Sequence, residues 1–572
     1  MRSLLLAFII LCIPLTVCAG DPAMSKDEVL RLGESMYRKG ILPSGEKMKA
    51  VVQDDIEVDG SMFTCVSCHL RSGMGTVEGT VFSLPTNGKN LFSPLLPGHD
   101  NPGLPSSFKG KPAGVKMYTP WYKPEVSPRP AYTDKTLADA LRMGVDPTGR
   151  RFASTMPIYF LDDKEVNILI SYLKALSSEY SPGVTGKAMR FAAIVTEGIS
   201  DGDREAMLVP LRIFMDLKNS RYDVMKNMRR AMAMKDTAYR ELTLEVWELK
   251  GAPETWERQL EHYYKKGPVF ALLGGVAPGE WAPIHHFCER QGIPCILPAT
   301  DFPVISDSDW YTLYLSKGLY QEAEAVASYL GGLPGGPKDT PVVQVFREGP
   351  EGVALSGAFK KIWETEGGKG PESIIIKKGE DLGRAFRDRL AKSQKNAALV
   401  LWLKAGDFSS VADMISLLEA NRRPRSIFVS ATLLKEKMYS LPGALRELTY
   451  ITYPYRHPED PLPQQMMGMS GVLSAEAWLK SRGLKSANPD ISSKMFLLSQ
   501  LLTEVIMHMQ NNFYRDYFLD VFDMMVDQLI SADYPRLSFG PGQRYAMKGC
   551  YIVQLSGGEK PALIKRSEWV TH

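Results

Sequence analysis

The rhythm of apolar and polar positions changes once along the chain. From Ser25 to Leu176 it is helical: Val29, Leu32, Gly33, Met36 and Tyr37 form one face of a predicted first helix. Val166, Leu169, Ile170, Leu173 and Leu176, with Tyr172 beside them, form the stripe of a last one. Ser25 with Glu28, and Asp162 with Glu165, are spaced as capping boxes that open these helices. Between them, prolines at Pro85, Pro94, Pro97, Pro102, Pro105, Pro124, Pro128 and Pro130 exclude regular helix and central strand, and predict a long wrapping loop.

Past the Ser- and Gly-rich segment 178–186 the rhythm becomes an alternation of short apolar runs and amphipathic stretches. Strands are predicted at Met189–Val195, Leu242–Leu249, Val269–Leu273, Pro294–Leu297, Val342–Phe346, Ser373–Ile376, Ala397–Leu403 and Ser426–Val429. Helices fall between them, among them Glu254–Lys266, Ala282–Gln291, Tyr320–Leu330, Leu382–Lys392 and Phe408–Asn421. Such alternation means parallel sheets covered on both faces. Roughly 380 residues of it exceed one sheet and suit two lobes with a cleft between them.

Composition adds exclusions. The 572 residues are 44% hydrophobic and 23% charged, which is ordinary for folded domains, and a net charge of +3 gives no bulk attraction to nucleic acid. Arg2, the apolar run Leu4–Val17 and Val17-Cys18-Ala19 predict a signal peptide over residues 1–19, cleaved after Ala19. Acylation of Cys18 is the rival reading, and the bulk of Val17 speaks against it. No later run reaches transmembrane length, so the mature chain is expected in the periplasm without a membrane span.

Of seven cysteines, Cys12 and Cys18 leave with that peptide. Cys65-Val66-Ser67-Cys68-His69 is the c-type haem attachment pattern: two thiols add to porphyrin vinyl groups and the adjacent imidazole ligates iron. It occurs once, so a single covalently attached haem c is expected. The sixth ligand is open among Met74, His99, Met117, Met143 and Met156. Met156 stands out, because its loop runs straight into the last helix. Trp121 and Arg150 are candidates for the haem propionates. Cys288 and Cys295 sit seven apart, close enough for a disulfide if their Cα atoms approach within about 7 Å. Cys550 is expected to be buried.

With these parts in this order, residues 25–178 resemble a class I c-type cytochrome. The resemblance implies an all-α domain whose first and last helices cross at Gly33, Tyr37 and Tyr172, with Met156 as the distal iron ligand beside His69. Residues 189–570, after a linker at 179–188, resemble type I periplasmic binding proteins, in particular the branched-chain amino-acid receptors of ABC importers. That resemblance rests on Thr196-Glu197-Gly198, Leu273-Gly274-Gly275, Gly292-Ile293-Pro294, Pro298-Ala299-Thr300 and Ser538 to Arg544, and implies a small ligand held between closing lobes. Such receptors place a Ser or Thr after the third strand to hold an amino-acid carboxylate. Here Gly275-Val276-Ala277-Pro278-Gly279-Glu280-Trp281 stands instead.

Cleft candidates at strand ends are Glu197, Trp281, Lys404, Asp407 and Ser430. The expected function is single-electron transfer with redox partner proteins, joined to small-ligand binding and without enzymatic chemistry. A haem-based sensor that biases cleft closure is the alternative, and an oxidoreductase acting on the cleft ligand a third.

Overall fold

The computed structural model describes residues 24–53, 55–78, 81–96, 127–231, 240–277, 279–390, 396–419, 423–461, 474–525, 531–535, 537–540 and 542–571. They form two compact units, the first ending at Ser178 and the second opening at Glu179.

The first unit runs α1 (Lys26–Lys39), β1 (Lys49–Val52), β2 (Ile56–Asp59), α2 (Cys65–His69), β3 (Thr76–Glu78), β4 (Val81–Ser83), α3 (Gly88–Leu91), α4 (Asp134–Met143), β5 (Ile158–Tyr159) and α5 (Asp163–Ala175). The Ser25 hydroxyl caps α1 by accepting from Glu28 N at 3.2 Å, and Gly40 ends it in the left-handed region. Asp162 and Glu165 exchange two 2.8 Å bonds at the start of α5. The two helices cross at Gly33, where a Cβ would lie 2.4 Å from Tyr172 Cβ and 2.9 Å from the Ile168 carbonyl oxygen. Tyr37 packs on Tyr172 beside that crossing, with ring centroids 5.5 Å apart.

The unit is not all-α. A three-stranded antiparallel sheet, in the order β2-β1-β5, stands beside the helices, and β3 pairs with β4. The β-branched valines of Lys49-Ala50-Val51-Val52 and the alternation of Ile56-Glu57-Val58-Asp59 are the cause, over runs too short to show at helical window length.

The second unit contains β6 (Ala188–Thr196), α6 (Asp201–Ala231), β7 (Glu241–Leu249), α7 (Trp256–Lys266), β8 (Ala271–Leu273), α8 (Ala282–Gln291), β9 (Cys295–Ile296), β10 (Thr312–Ser316) and α9 (Leu319–Gly331). There follow β11 (Val342–Arg347), β12 (Glu372–Ile376), β13 (Ala398–Trp402), β14 (Ser426–Ser430), β15 (Thr449–Tyr453), β16 (Tyr545–Met547), β17 (Gly549–Leu555), β18 (Leu563–Lys565) and β19 (Val570–Thr571). The alternating pattern becomes two sheets. One is wholly parallel, in the order β16-β10-β9-β8-β6-β7. The other runs β12-β11-β13-β14-β15-β17-β18, parallel through β15 and antiparallel beyond, with β19 on β17. Every residue of β8 and β13 is buried, as strands covered on both faces require.

The chain passes between the sheets three times: from β10 into α9, after β15 toward the helix Pro489–Met509 that packs on α6, and from β16 into β17. The sheets are therefore the cores of two lobes joined by three strands of backbone.

Because Gly33 sits against backbone and a Cβ, Gly33→Val is expected to destabilise the first unit by about 1–3 kcal/mol. Calorimetry of the whole protein reads this as a lowered first-unit transition, and an unmoved transition would exclude the close crossing.

Candidate functional site

α2 is a single turn that begins at Cys65 and ends at His69, so both thiols and the imidazole project from one short segment. They line an apolar cavity of about 260 Å³ together with Leu84, Tyr132, Met156 and Tyr159. Cys65 is buried, its sulfur 3.9 Å from the Tyr159 hydroxyl, and burial pushes its thiol up to about 11. Tyr159 in turn donates to the Phe63 carbonyl at 2.9 Å.

His69 is the most constrained group. Its Nδ1 donates to the Leu84 carbonyl at 2.8 Å, which places the proton on Nδ1 and leaves the Nε2 lone pair bare. Nε2 is buried and has no hydrogen-bond partner among the described residues. Burial holds the imidazole below its ordinary pKa, against the opposing pull of the Leu84 carbonyl, so the ring is neutral.

Met156 lines the same cavity. Its loop is tied down at three points: Phe152 N donates to Gly144 O at 2.8 Å, Gln53 N to Ser154 O at 2.8 Å, and Met156 N to Ala153 O at 2.9 Å. β5 follows at once and pairs with β1, so the small sheet fixes the end of the methionine loop. The other candidates lie elsewhere: Met74 is buried and Met143 exposed, neither on the cavity wall, and His99, Met117 and Trp121 lie outside the described residues. Arg150 is likewise off the wall and bonds Asp146 and the Pro128 carbonyl, at 2.9 and 2.8 Å.

Sequence reasoning missed Arg129, which does line the cavity. Its guanidinium lies 4.4 Å over the Tyr132 ring and donates to the carbonyls of Asn90, Leu91, Ser93 and Pro130. The signal was a cation set between two prolines, Pro128 and Pro130, inside an otherwise loop-like stretch.

In the second unit the five cleft candidates separate. Trp281 is fully buried in the core of the first lobe, a correction whose cause is Gly275: its left-handed backbone and missing Cβ let the indole approach, and any Cβ there would lie 2.5 Å from the ring. Glu197 is exposed and accepts from Gly251 N at 2.7 Å. Lys404 pairs with Glu351 at 2.8 Å, and Asp407 takes Arg347 in two bonds of 2.5 and 2.7 Å. Ser430 is buried and caps the turn Ala431–Leu434, accepting from Leu433 N at 3.1 Å.

Ser430 also belongs to a network around Glu322, which lies on α9 and not at a strand end. Glu322 is buried on α9 and hydrogen-bonded by Thr432, Thr452 and Ser430; burial pushes its carboxyl up to about 7. It was detectable as an acid in helical register with Val326 and Leu330 on an apolar face. Cys288 and Cys295 are both fully buried and stand as neighbouring free thiols, with no disulfide between them; burial and the Cys295 sulfur raise Cys288. Cys550 is buried in β17. Among the described residues no helix is long and apolar enough to cross a membrane.

No family model and no curated protein sequence matches the chain. Among solved structures it is similar to a branched chain amino acid ABC transporter from Thermus thermophilus with bound valine, at 13% identity over 68% of this chain and 97% of that one, with a TM-score of 0.47. It is similar also to an ABC transporter solute binding protein from R. palustris in complex with benzoate, at 13% identity over 67% and 98%, TM-score 0.46. A leucine binding protein from Thermotoga maritima matches at 13% identity over 66% and 98%, TM-score 0.45.

A carboxyl raised from 4.5 to about 7 by folding favours the native state only while it is protonated. Its contribution is complete below about pH 4.5 and is lost as pH rises through about 7, an amount on the order of 3 kcal/mol. Glu322→Gln does not titrate, so the urea midpoint of the wild type is expected to fall between pH 5 and pH 8 more steeply than that of the variant. Equal slopes would remove Glu322 as the titrating group.

Proposed function

We propose that this chain is an exported mono-haem c-type cytochrome joined to a two-lobed small-ligand receptor, and that it carries single electrons without transforming a substrate. One observation carries the first half: the neutral, partnerless Nε2 of His69 lies at an apolar cavity that Cys65, Cys68 and Met156 also line. A buried imidazole nitrogen left bare costs about 1–3 kcal/mol unless something accepts its lone pair, and a metal ion does so.

The donor set fits haem c. Cys65 and Cys68, three residues apart, would anchor the two vinyl groups, His69 and Met156 would hold the iron, and the apolar walls would suit a porphyrin. Bound there, haem would supply a one-electron iron couple, whose potential a thioether ligand would raise. The chain's own part is positional. Leu84 fixes the tautomer and rotation of His69, the tethered loop holds Met156, and Cys65 and Cys68 each give a thiol proton and a sulfur to the covalent attachment. Burial pushes the Cys65 thiol up to about 11, so it is protonated before attachment. Arg129 is the cation on the cavity wall suited to a propionate carboxylate.

The second half of the reading rests on two lobes joined by three backbone passes, a construction that hinges, with polar side chains such as Glu322 and Ser430 near those passes. Export to the periplasm is part of this reading, supported by Arg2 and the apolar run Leu4–Val17, which lie outside the described residues, and by the compartment in which haem is attached to such motifs. Redox partner proteins and a small-molecule ligand are its partners in this reading.

The test is an optical spectrum of the full-length protein, secreted and haem-loaded. The oxidised form is expected to show a weak far-red sulfur-to-iron band and to ignore carbon monoxide when reduced, and Met156→Ala is expected to lose the band and bind carbon monoxide. Ready carbon monoxide binding by the wild type would remove Met156 as ligand and put a gas or redox sensor in place of the carrier.

A further inference from the structure

Two carboxyls of the second unit lie where its lobes meet. Asp301, in the segment between β9 and β10, is tied to the start of α9 by the bond from Leu319 N to its carbonyl at 3.1 Å. Glu322 lies one turn along that same helix and feels the charge of Asp301. The Asp301 side chain is accessible but recessed, so that desolvation raises its pKa, and it accepts no hydrogen bond among the described residues. Neither acid forms an ion pair among the described residues. Lys494, the largest positive influence on Asp301, is held by Asp490 at 2.8 Å, and Lys435 acts on it more weakly.

One aromatic ring stands near this pair, and two more lie against that ring. Tyr455 is buried, is hydrogen-bonded with Thr432, and senses Asp490, Glu322 and Asp301. The rings of Tyr453 and Tyr534 lie 5.3 and 6.4 Å from it. Tyr534 supplies an independent sign of a ligand: it is 2% exposed, its hydroxyl has no partner among the described residues, and the charge it feels most is Asp490 of this same cluster. Among the described residues no three His, Cys, Asp or Glu side chains gather closely enough to enclose a metal ion. The segment after β8, Gly274-Gly275-Val276-Ala277, brings no side-chain donor for a carboxylate.

Resting on the receptor reading above, we propose that the cleft takes an organic ammonium ion without a carboxylate, its nitrogen held by Asp301 and Glu322 and its carbon skeleton against Tyr453, Tyr455 and Tyr534. An ammonium offers the N–H donors that the Asp301 carboxylate lacks, and its charge offsets the cost of ionising Glu322, which three hydroxyls already hold but no cation neutralises. Tyrosine faces attract both the cation and its methylenes. The free Tyr534 hydroxyl accepts from, or donates to, a polar group on the same molecule.

Calorimetric titration of the full-length, haem-loaded protein tests this with n-butylammonium, putrescine and ethanolamine, beside valine and benzoate as carboxylate probes. At least one of the three amines is expected to bind while valine and benzoate do not. Asp301→Asn, at an accessible position that folding tolerates, is expected to weaken the amine by about 10–100-fold, the range for a hydrogen bond to a charged group, and Tyr534→Phe by a smaller factor. Binding of valine or benzoate with silence from all three amines overturns the ammonium proposal and leaves the receptor reading standing. Silence from all five probes, with no change in small-angle scattering that would mark lobe closure, overturns both.

Discussion

A neutral imidazole buried with one nitrogen committed and the other bare is the constraint on which the first unit turns. His69 satisfies Nδ1 on the Leu84 carbonyl, and that bond alone dictates which nitrogen faces the cavity. Everything around it serves to keep the ring in place. α2 is too short to hold a side chain rigidly by itself, so β3 and β4 follow it directly and lead into Leu84. Tyr37, at the α1–α5 crossing, donates to the Leu70 carbonyl at 2.8 Å and so fixes the exit of the same turn. Gly33 is what permits that crossing, and through Tyr37 the helix pair reaches the turn that carries His69.

The second unit answers a different demand. Its two sheets each bury their own apolar strands, and Glu322 and Ser430 are buried polar groups near where the chain passes between them. Glu322 shows the cost of this arrangement. A carboxyl on the apolar register of α9 is expensive to ionise, and three hydroxyls, from Ser430, Thr432 and Thr452, offset only part of the desolvation, so its pKa stays near 7. A residue serving stability alone would be apolar there, like Val326 and Leu330 on the same face.

The parts legible in the sequence are those set by local chemistry. Capping boxes at Ser25 and Asp162 fix helix starts through bonds spanning three residues, and the helix Ala282–Gln291 runs between a proline-bearing first turn and a left-handed glycine, Gly292. Long-range pairing left weaker traces. β1, β2 and β5 are two to four residues long and exist because they find one another, and β10 and β16, far apart in sequence, pair side by side. The same divide separates the site residues. Cys65, Cys68 and His69 follow from spacing within one turn, whereas Arg129 and Glu322 depend on neighbours remote in the chain, and Trp281 looked like a cleft side chain only because Gly275 was not yet seen to admit it to the core.

These two kinds of construction suit two kinds of work. A proposed electron-exchange site needs its metal ligands held still, and the first unit holds His69 and Met156 by a carbonyl, a one-turn helix and a loop pinned at three backbone bonds. Capture of a small molecule by closure requires the opposite, lobes rigid in themselves and joined by little. Three single passes of chain between two sheets suit such closure, and Asp301 and Glu322 lie at the first of them, where a ligand of the proposed kind that bridged both carboxyls would favour closed lobes over open ones.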